Sequence, residues 1–329
     1  MRVVLGFINT KGERDQMVRV GSSVLGSFYK KNSVGKLLEL KEKGLWIMLD
    51  SGAFSWWNKN VGTNREVRDV IGTDWSRSIG FERYKREYID WLKKFGGNVD
   101  VYVTLDVIFD PQRTWEIWKE MKDEGLMAMP VVHYGADYKY VEKYLEEGAE
   151  YLGVGGLVGG KKVISQWMDG VFRNFVKVDG GEEPRPRVHI FGAVAPDVFR
   201  RYPLYSADST GWKKFCAYGF VPVPLLGSGG EFTFDSLFVV KVTRRRIVIT
   251  GDMGMCFMDY VKMVGEDIVK EVAKEVFDEE LEIPDIEERL QDTVERGKWS
   301  IWYYRKMEEW WSRFRDWEVY KIQSRRCLV

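Results

Sequence analysis

Cysteine and histidine are scarce in this chain of 329 residues, which holds 3 of the first and 2 of the second. Cys216, Cys256 and Cys327 lie far apart and form none of the paired spacings of a zinc site or redox motif, which excludes a cysteine-built metal centre and a disulfide framework. Buried or free thiols in a reducing compartment are expected, and with them a cytoplasmic location. No run approaches the ~18 consecutive apolar residues of a membrane span. The N-terminus enters a strand-like Val3-Val4-Leu5-Gly6-Phe7-Ile8 in place of a signal peptide. Net charge is missing as well: 50 basic and 50 acidic residues cancel, so no global positive field marks a nucleic-acid partner and only a local basic face is left for that role. Internal repeats and low-complexity tracts are absent.

What is present is a hydrophobic content of 45%, enough for a large core. Abundant Lys, Glu and Val with few Asn and Gln resemble a thermophile's usage. Short apolar, β-branched runs recur at Val3–Ile8, Leu45–Leu49, Val99–Leu105, Leu126–Val132, Tyr151–Val154, Arg187–Phe191 and Leu204–Ala207, each of a length suited to a buried strand. Between them, Phe81–Phe95, Thr114–Glu124 and Tyr138–Glu147 return apolar residues at helical steps. Such alternation predicts parallel strands with helical crossovers. Tyr218–Leu226 is expected to supply an eighth strand and close a (β/α)8 TIM barrel over residues 1–226. An open doubly wound sheet is disfavoured because no Gly-rich dinucleotide fingerprint follows the first strand. The long stretch Trp56–Gly80 is expected to form an active-site loop or lid. Residues 227–329 read as a C-terminal β-hairpin and helical appendage: short strands at Phe232–Phe234, Leu237–Val242 and Arg246–Thr250, and an amphipathic helix over Cys256–Phe277. A last helix, with Pro284 in its first turn, then runs through Glu287 and Arg296 to a Trp-rich cluster ending at Trp311.

Three of the barrel strands end in an acid: Asp50, Asp106 and Asp208. In a parallel barrel, functional groups gather at the carboxyl ends of strands. Any one of these acids alone is as well explained as a helix cap, whereas three together point to a site in which crowding drives carboxylate pKa values apart. Gly155-Gly156-Leu157, after the fifth run, begins a stretch too rich in glycine for helix; either it is a flexible loop or its backbone grips a planar ligand. His133, in His133-Tyr134-Gly135, is open to a hydrogen-bonding or acid/base role and equally to packing, and His189 is read as structural.

These residues resemble those of the tRNA-guanine transglycosylases. Asp50-Ser51-Gly52-Ala53-Phe54-Ser55 is similar to that family's Asp-Ser-Gly-Gly-Phe-Gln motif, Gly155-Gly156-Leu157 to its Gly-Gly-Leu loop, and Val188–Val194 to its strand before the nucleophile. Leu105–Pro111, Pro130–Gly135 and Tyr205–Trp212 resemble more closely the motifs of the phage-type 7-deazaguanine DNA transglycosylases. The likeness spans residues of about 45 to 215. It implies a pentosyltransferase with Asp208 as nucleophile at C1′ of a guanosine nucleotide and Asp50 as general acid and base. It further implies Asp106 as reader of the guanine N1–H and amino group, Gly155 and Gly156 as backbone partners of the base, and Ser51, His133 and Leu157 around it, with Phe54 or Tyr134 as an aromatic wall. The tRNA enzymes' Cys-rich zinc motif is missing after Asp208, so no zinc or other cofactor is expected. The implied partners are DNA and a 7-deazaguanine base such as preQ0. tRNA is the alternative polymer; a non-catalytic subunit or a barrel glycoside hydrolase is less well supported, and a homodimer is left open. Arg244-Arg245-Arg246 is the candidate phosphate grip. For the C-terminal Trp residues a packed helical core is the preferred reading over strand binding.

Overall fold

A computed structural model describes residues 1–6, 8–62, 74–156, 163–179, 183–244 and 255–321. Eight parallel strands alternate with helices along the first two thirds of the chain: β1 (Arg2–Gly6), β2 (Ser23–Ser27), β3 (Ile47–Asp50), β4 (Val101–Tyr102), β5 (Val131–His133), β6 (Tyr151–Gly155), β7 (Arg187–Ile190) and β8 (Ser206–Ser209). Their order is β4-β3-β2-β1-β8-β7-β6-β5. The edges β4 and β5 are joined by a parallel bridge between Val103 and Met129, where the Met129 N–H donates to Tyr102 O and the Thr104 N–H to Met129 O, both at 2.9 Å. The sheet is a TIM-like barrel.

Strand parity divides its apolar residues into two layers, because successive side chains of a strand point to opposite faces. Val4, Met48, Val103, Met129 and Val131 fill the interior, while Val3, Leu5, Ile47 and Leu49 meet the helices outside. Those helices include α1 (Lys11–Val20), α2 (Lys31–Glu42), α3 (Ala53–Trp57), α4 (Ile79–Phe95), α5 (Pro111–Asp123), α6 (Lys139–Glu146), α7 (Gln166–Phe175), α8 (Pro196–Arg201) and α9 (Gly211–Ala217). Of the expected loop at Trp56–Gly80, the described parts are the end of α3, a π-type turn at Asn58–Gly62 and a 3-10 turn at Asp74–Arg77; residues 63–73 lie outside the described residues.

Two expectations about the strands need correction. Tyr218–Leu226 does not close the barrel: its strand β9 (Phe220–Leu226) pairs antiparallel with β10 (Phe232–Lys241), and β8 closes the ring by pairing with β1. Pro222 and Pro224 explain this, since a residue without an N–H is confined to a strand that needs no donor there, and β9 is an edge of its own three-stranded sheet with β11 (Met255–Cys256). The boundary drawn at 226/227 therefore falls inside the β9–β10 hairpin. The strand supplying the eighth place, β2, has the sequence Ser-Val-Leu-Gly-Ser, too short and too polar to stand out. Its Gly26 is required by packing: a Cβ there would lie 1.9 Å from Leu37 Cδ1 of α2.

The C-terminal helices also differ from expectation. Gly265, at φ +98°, breaks the Cys256–Phe277 stretch into α10 (Phe257–Val264) and α11 (Glu266–Phe277). The helix begun by Pro284 stops as α12 (Ile283–Arg289), and Asp292 caps a new one, α13 (Thr293–Trp311), by accepting from the Val294 and Glu295 N–H groups. β10 is continuous across Phe232–Lys241 with an irregularity between Thr233 and Phe238, and the strand expected at Arg246–Thr250 lies outside the described residues. The Trp-rich helix is core: Trp299, Trp302, Tyr303, Tyr304 and Trp311 are all buried. The indole N–H groups of Trp299 and Trp311 donate to Pro222 O and Phe234 O at 2.9 and 2.8 Å, which ties α13 to the appended sheet. Glu308 ties it to the barrel by accepting from the Val3 N–H at 2.7 Å. No described helix is long and apolar enough to cross a membrane.

The α2–β2 contact gives a test with two signs. Gly26→Ala is expected to lower the unfolding free energy by about 1–3 kcal/mol through overpacking against Leu37. Gly35→Ala, at an exposed site inside α2 with nothing within 4 Å of the added Cβ, is expected to raise it by about 0.5–1 kcal/mol. Urea denaturation of both variants checks this, and equal effects of one sign would contradict the packing account.

Candidate active site

Parity carries the polar residues to one place. Two residues beyond interior Met48 stands Asp50, and two beyond interior Val131 stands His133. Gly153 is in register with Val131 and leads to Gly155; His189 is in register with Gly153, Ser206 with His189, and Asp208 with interior Val4. Asp50, His133, Gly155, His189 and Asp208 thus share the inner face, and all but His189 lie at or beside the carboxyl end of a strand. Asp106 reaches the same mouth from the segment after β4.

Asp208 is 4% exposed, and its Oδ1 accepts from the Gly192 N–H at 2.9 Å. His189 Nε2 lies 3.3 Å from that same oxygen. Behind it, His189 Nδ1 is 2.6 Å from Ser206 Oγ, which the Tyr151 hydroxyl also meets, so a buried polar line runs Tyr151–Ser206–His189–Asp208. Among the described residues no donor reaches Asp208 Oδ2. His189, read as structural in the sequence, is fully buried and partners the Asp208 carboxylate. The available signal was its parity: on β7 it stands between the outward Val188 and Ile190, opposite another polar inward residue, Ser206.

Asp50 is in a different environment. Burial pushes its pKa up, the charges of Asp106 and Asp208 push it further, and the Gly52 N–H holds it down, leaving it at about 7. The Gly52 N–H donates to Oδ2 at 3.0 Å. Gly52 has φ +78°, and a Cβ there would stand 2.5 Å from Tyr29 Cβ and 2.8 Å from the Tyr84 hydroxyl oxygen. This turn accepts only glycine. Tyr84 in turn donates to Ser51 O, and the buried Ser51 Oγ accepts from the Ala53 N–H at 3.4 Å, so Ser51 fixes the turn that carries Asp50.

Asp106 Oδ2 is 2.8 Å from His133 Nε2. His133 Nδ1 is buried with no hydrogen-bond partner among the described residues. Gly155 makes room beside this pair: a Cβ would be 3.2 Å from Val131 Cγ1 and 3.4 Å from His133 Cδ2. Its carbonyl accepts from the Tyr134 N–H at 2.9 Å, and Gly156 continues with φ +75°. Tyr134 packs its ring on Trp167, 5.4 Å away. Phe54 stands 43% exposed on α3, four residues from Asp50.

Leu157, Arg245 and Arg246 lie outside the described residues. Arg244 is exposed and occupied by acids of α12, with Glu288 at 3.0 Å and Glu287 at 3.8 Å. Among the described residues there is no group of three or more His, Cys, Asp or Glu side chains arranged to hold a metal ion.

No model of a known protein family matches the chain, and no curated protein does. Among solved structures, the chain is similar to a cube-shaped, highly porous protein cage designed by fusing symmetric oligomeric domains, at 12% identity and a TM-score of 0.38, over 64% of this chain and 63% of that one. It is also similar to a structural-study protein from Aquifex aeolicus VF5, at 13% identity and a TM-score of 0.36, over 65% of this chain and 85% of that one.

The raised pKa of Asp50 has a stability consequence. An unfolded Asp titrates near ~3.9, so the folded state holds this proton more tightly, and the contribution is fully present below that value and lost as pH rises through about 7. Asp50→Asn, which carries no charge to bury, is expected to gain stability relative to the parent between pH 5 and pH 8, by about 2–4 kcal/mol. Urea unfolding of both proteins at the two pH values measures the difference; a difference independent of pH would remove the strained carboxylate.

Proposed function

We propose that this chain is a transglycosylase that exchanges guanine in DNA for a 7-deazaguanine base such as preQ0, without cutting the backbone. The observation that carries the reading is the pairing of two unlike carboxylates at one barrel mouth, Asp50 with a pKa of about 7 and Asp208 held by the Gly192 N–H and His189. A proton-carrying acid beside an oriented carboxylate is the equipment for double displacement at a sugar carbon.

In this reading Asp208 Oδ2 attacks C1′ of the target nucleotide. The C1′–N9 bond breaks, its electron pair passes to the departing guanine, and protonated Asp50 supplies the proton that neutralises the base. The incoming 7-deazaguanine then gives its N9 proton to the Asp50 carboxylate and attacks C1′, and the ester bond to Asp208 breaks with retention of configuration. A group with a pKa near neutrality suits both proton transfers. The Asp106 carboxylate, oriented by His133, pairs with the guanine N1–H and amino donors, and bases without that pair of donors leave it unsatisfied. The depth of Asp208 requires the base to leave its stack. DNA is preferred over tRNA on two sequence features: the closer likeness of the motifs at Leu105–Pro111, Pro130–Gly135 and Tyr205–Trp212 to the DNA enzymes, and the missing zinc motif.

The test is incubation with labelled guanine or preQ0 and, separately, duplex DNA, single-stranded DNA and tRNA, with label counted in the polymer. Incorporation into DNA is expected, and label in tRNA alone would rule out DNA as the substrate. Asp208→Asn is expected to abolish both incorporation and the covalent adduct, and Asp50→Asn to slow exchange by about 10²–10⁴-fold. Undiminished exchange in Asp208→Asn would remove the nucleophile.

A further inference from the structure

One residue at the mouth is kept against the interests of folding. Phe109 is 73% exposed and holds φ +68°, a left-handed conformation that bulky side chains rarely adopt. It is the third residue of a turn closed by the Asp110 N–H donating to Val107 O at 3.0 Å, a place that ordinarily takes Gly or Asn. The turn is rigid. The Val107 N–H donates to the buried Thr114 Oγ1 at 2.9 Å, that hydroxyl donates to Asp110 O at 2.9 Å, and Asp110 caps α5 by accepting from the Arg113 N–H at 2.9 Å. A strained backbone and a solvent-facing phenyl ring both work against stability, and sites that retain such costs are enriched in function.

The ring does not stand alone. Its edge meets Trp57, itself buried, with centroids 6.0 Å apart, and Trp57 stacks with the exposed Phe54 at 6.3 Å, so Phe54 and Phe109 present the accessible faces and Trp57 backs them. Phe54 is four residues from Asp50 and Phe109 three from Asp106, so this aromatic lip borders the carboxylate recess on the β3 and β4 side. Exposed cations lie on the same connection, Lys59 two residues after α3 and Arg77 two residues before α4. Aromatic faces with interleaved cations fit an unstacked nucleic-acid strand, its bases on the rings and its phosphates on the cations.

We infer that the Phe54–Trp57–Phe109 lip binds the nucleobase next to the one exchanged in a DNA strand, with Phe109 as the wedge on which that neighbour stacks while the target base enters the recess. The inference rests on the base-exchange reading and adds to it a recognition surface for the polymer outside the reacting nucleotide. A ring held in a fixed turn contributes contact area without first having to be ordered.

The experiment uses binding, which needs no chemistry. A fluorescent single-stranded DNA dodecamer with one central guanine, and the same strand with abasic sites flanking that guanine, are titrated by anisotropy at fixed salt with the full chain and with Phe109→Gly and Phe109→Tyr. The intact strand is expected to bind the parent and Phe109→Tyr about 5- to 100-fold more tightly than the abasic-flanked strand. Phe109→Gly is expected to abolish most of that ratio while raising Tm by about 1–3 °C, because glycine accepts the left-handed turn. A ratio unchanged in Phe109→Gly, or binding to neither strand, would overturn the lip. The base-exchange reading fails by a different measurement: a lip-dependent ratio in a protein that incorporates no labelled base would sink the exchange and leave the lip standing.

Discussion

Carboxylates that share one recess repel one another, and the arrangement of this barrel mouth is organised around that repulsion. Two like charges 4 Å apart repel by about 4 kcal/mol at an effective dielectric near 20, so three acids brought within electrostatic reach need separate means of accommodation. Each has one. Asp208 is given donors, the Gly192 N–H and His189; Asp106 is given His133; Asp50 is left with burial outweighing its single backbone donor and takes up a proton instead. The difference among the three lies in who donates to them. All of those donors depend on backbone placed by the fold.

That placement follows from closing the sheet. Once β4 and β5 are bridged at Val103 and Met129, every inward residue faces the same axis, and a polar side chain at inward parity must find its partner there. Aliphatic residues occupy the middle of the axis, and polar ones take the carboxyl end, where loops leave space and donors. Ser206 and His189 are buried beneath Asp208 without cost to satisfaction because they bond to each other and to Tyr151. At the opposite end, the Glu308 carboxylate receives the Val3 N–H, so the Trp-rich helix braces β1, the strand registered with β8 and its Asp208. The aromatic content of the C-terminus serves this brace.

The sequence made the three acids visible because each follows an apolar run; in the structure Asp50 ends β3, Asp208 lies one residue before the end of β8, and Asp106 stands four residues beyond β4. It hid β2, whose two serines and glycine carry no hydrophobic signal and whose identity comes from Gly26 fitting under Leu37. It offered Phe220–Leu226 as a false substitute, although Pro222 and Pro224 in alternate places argue for an edge strand. His189 was legible through its inward parity between Val188 and Ile190, and its polar partner Ser206 only through cross-strand register. The breaks at Gly265 and Asp292 were present as residues, but a long amphipathic period overrode them in the reading. The pKa of Asp50 was not legible, since it depends on the distance to two acids that are 56 and 158 positions away in the chain.

A recess of acids is a poor destination for a polyanion, and the proposed exchange must resolve that conflict. With Asp50 protonated below about pH 7, the recess carries one negative charge fewer when the nucleotide arrives. In the proposed exchange only the base and sugar would pass the rim, and the phosphates would stay outside, where Lys59 and Arg77 are exposed. Because the chain as a whole has no net charge, attraction to the strand falls to this local field and to the rings of the lip. Repulsion inside the recess and attraction at its rim then act on different parts of one nucleotide, and together they favour an everted base over a strand lying flat across the mouth.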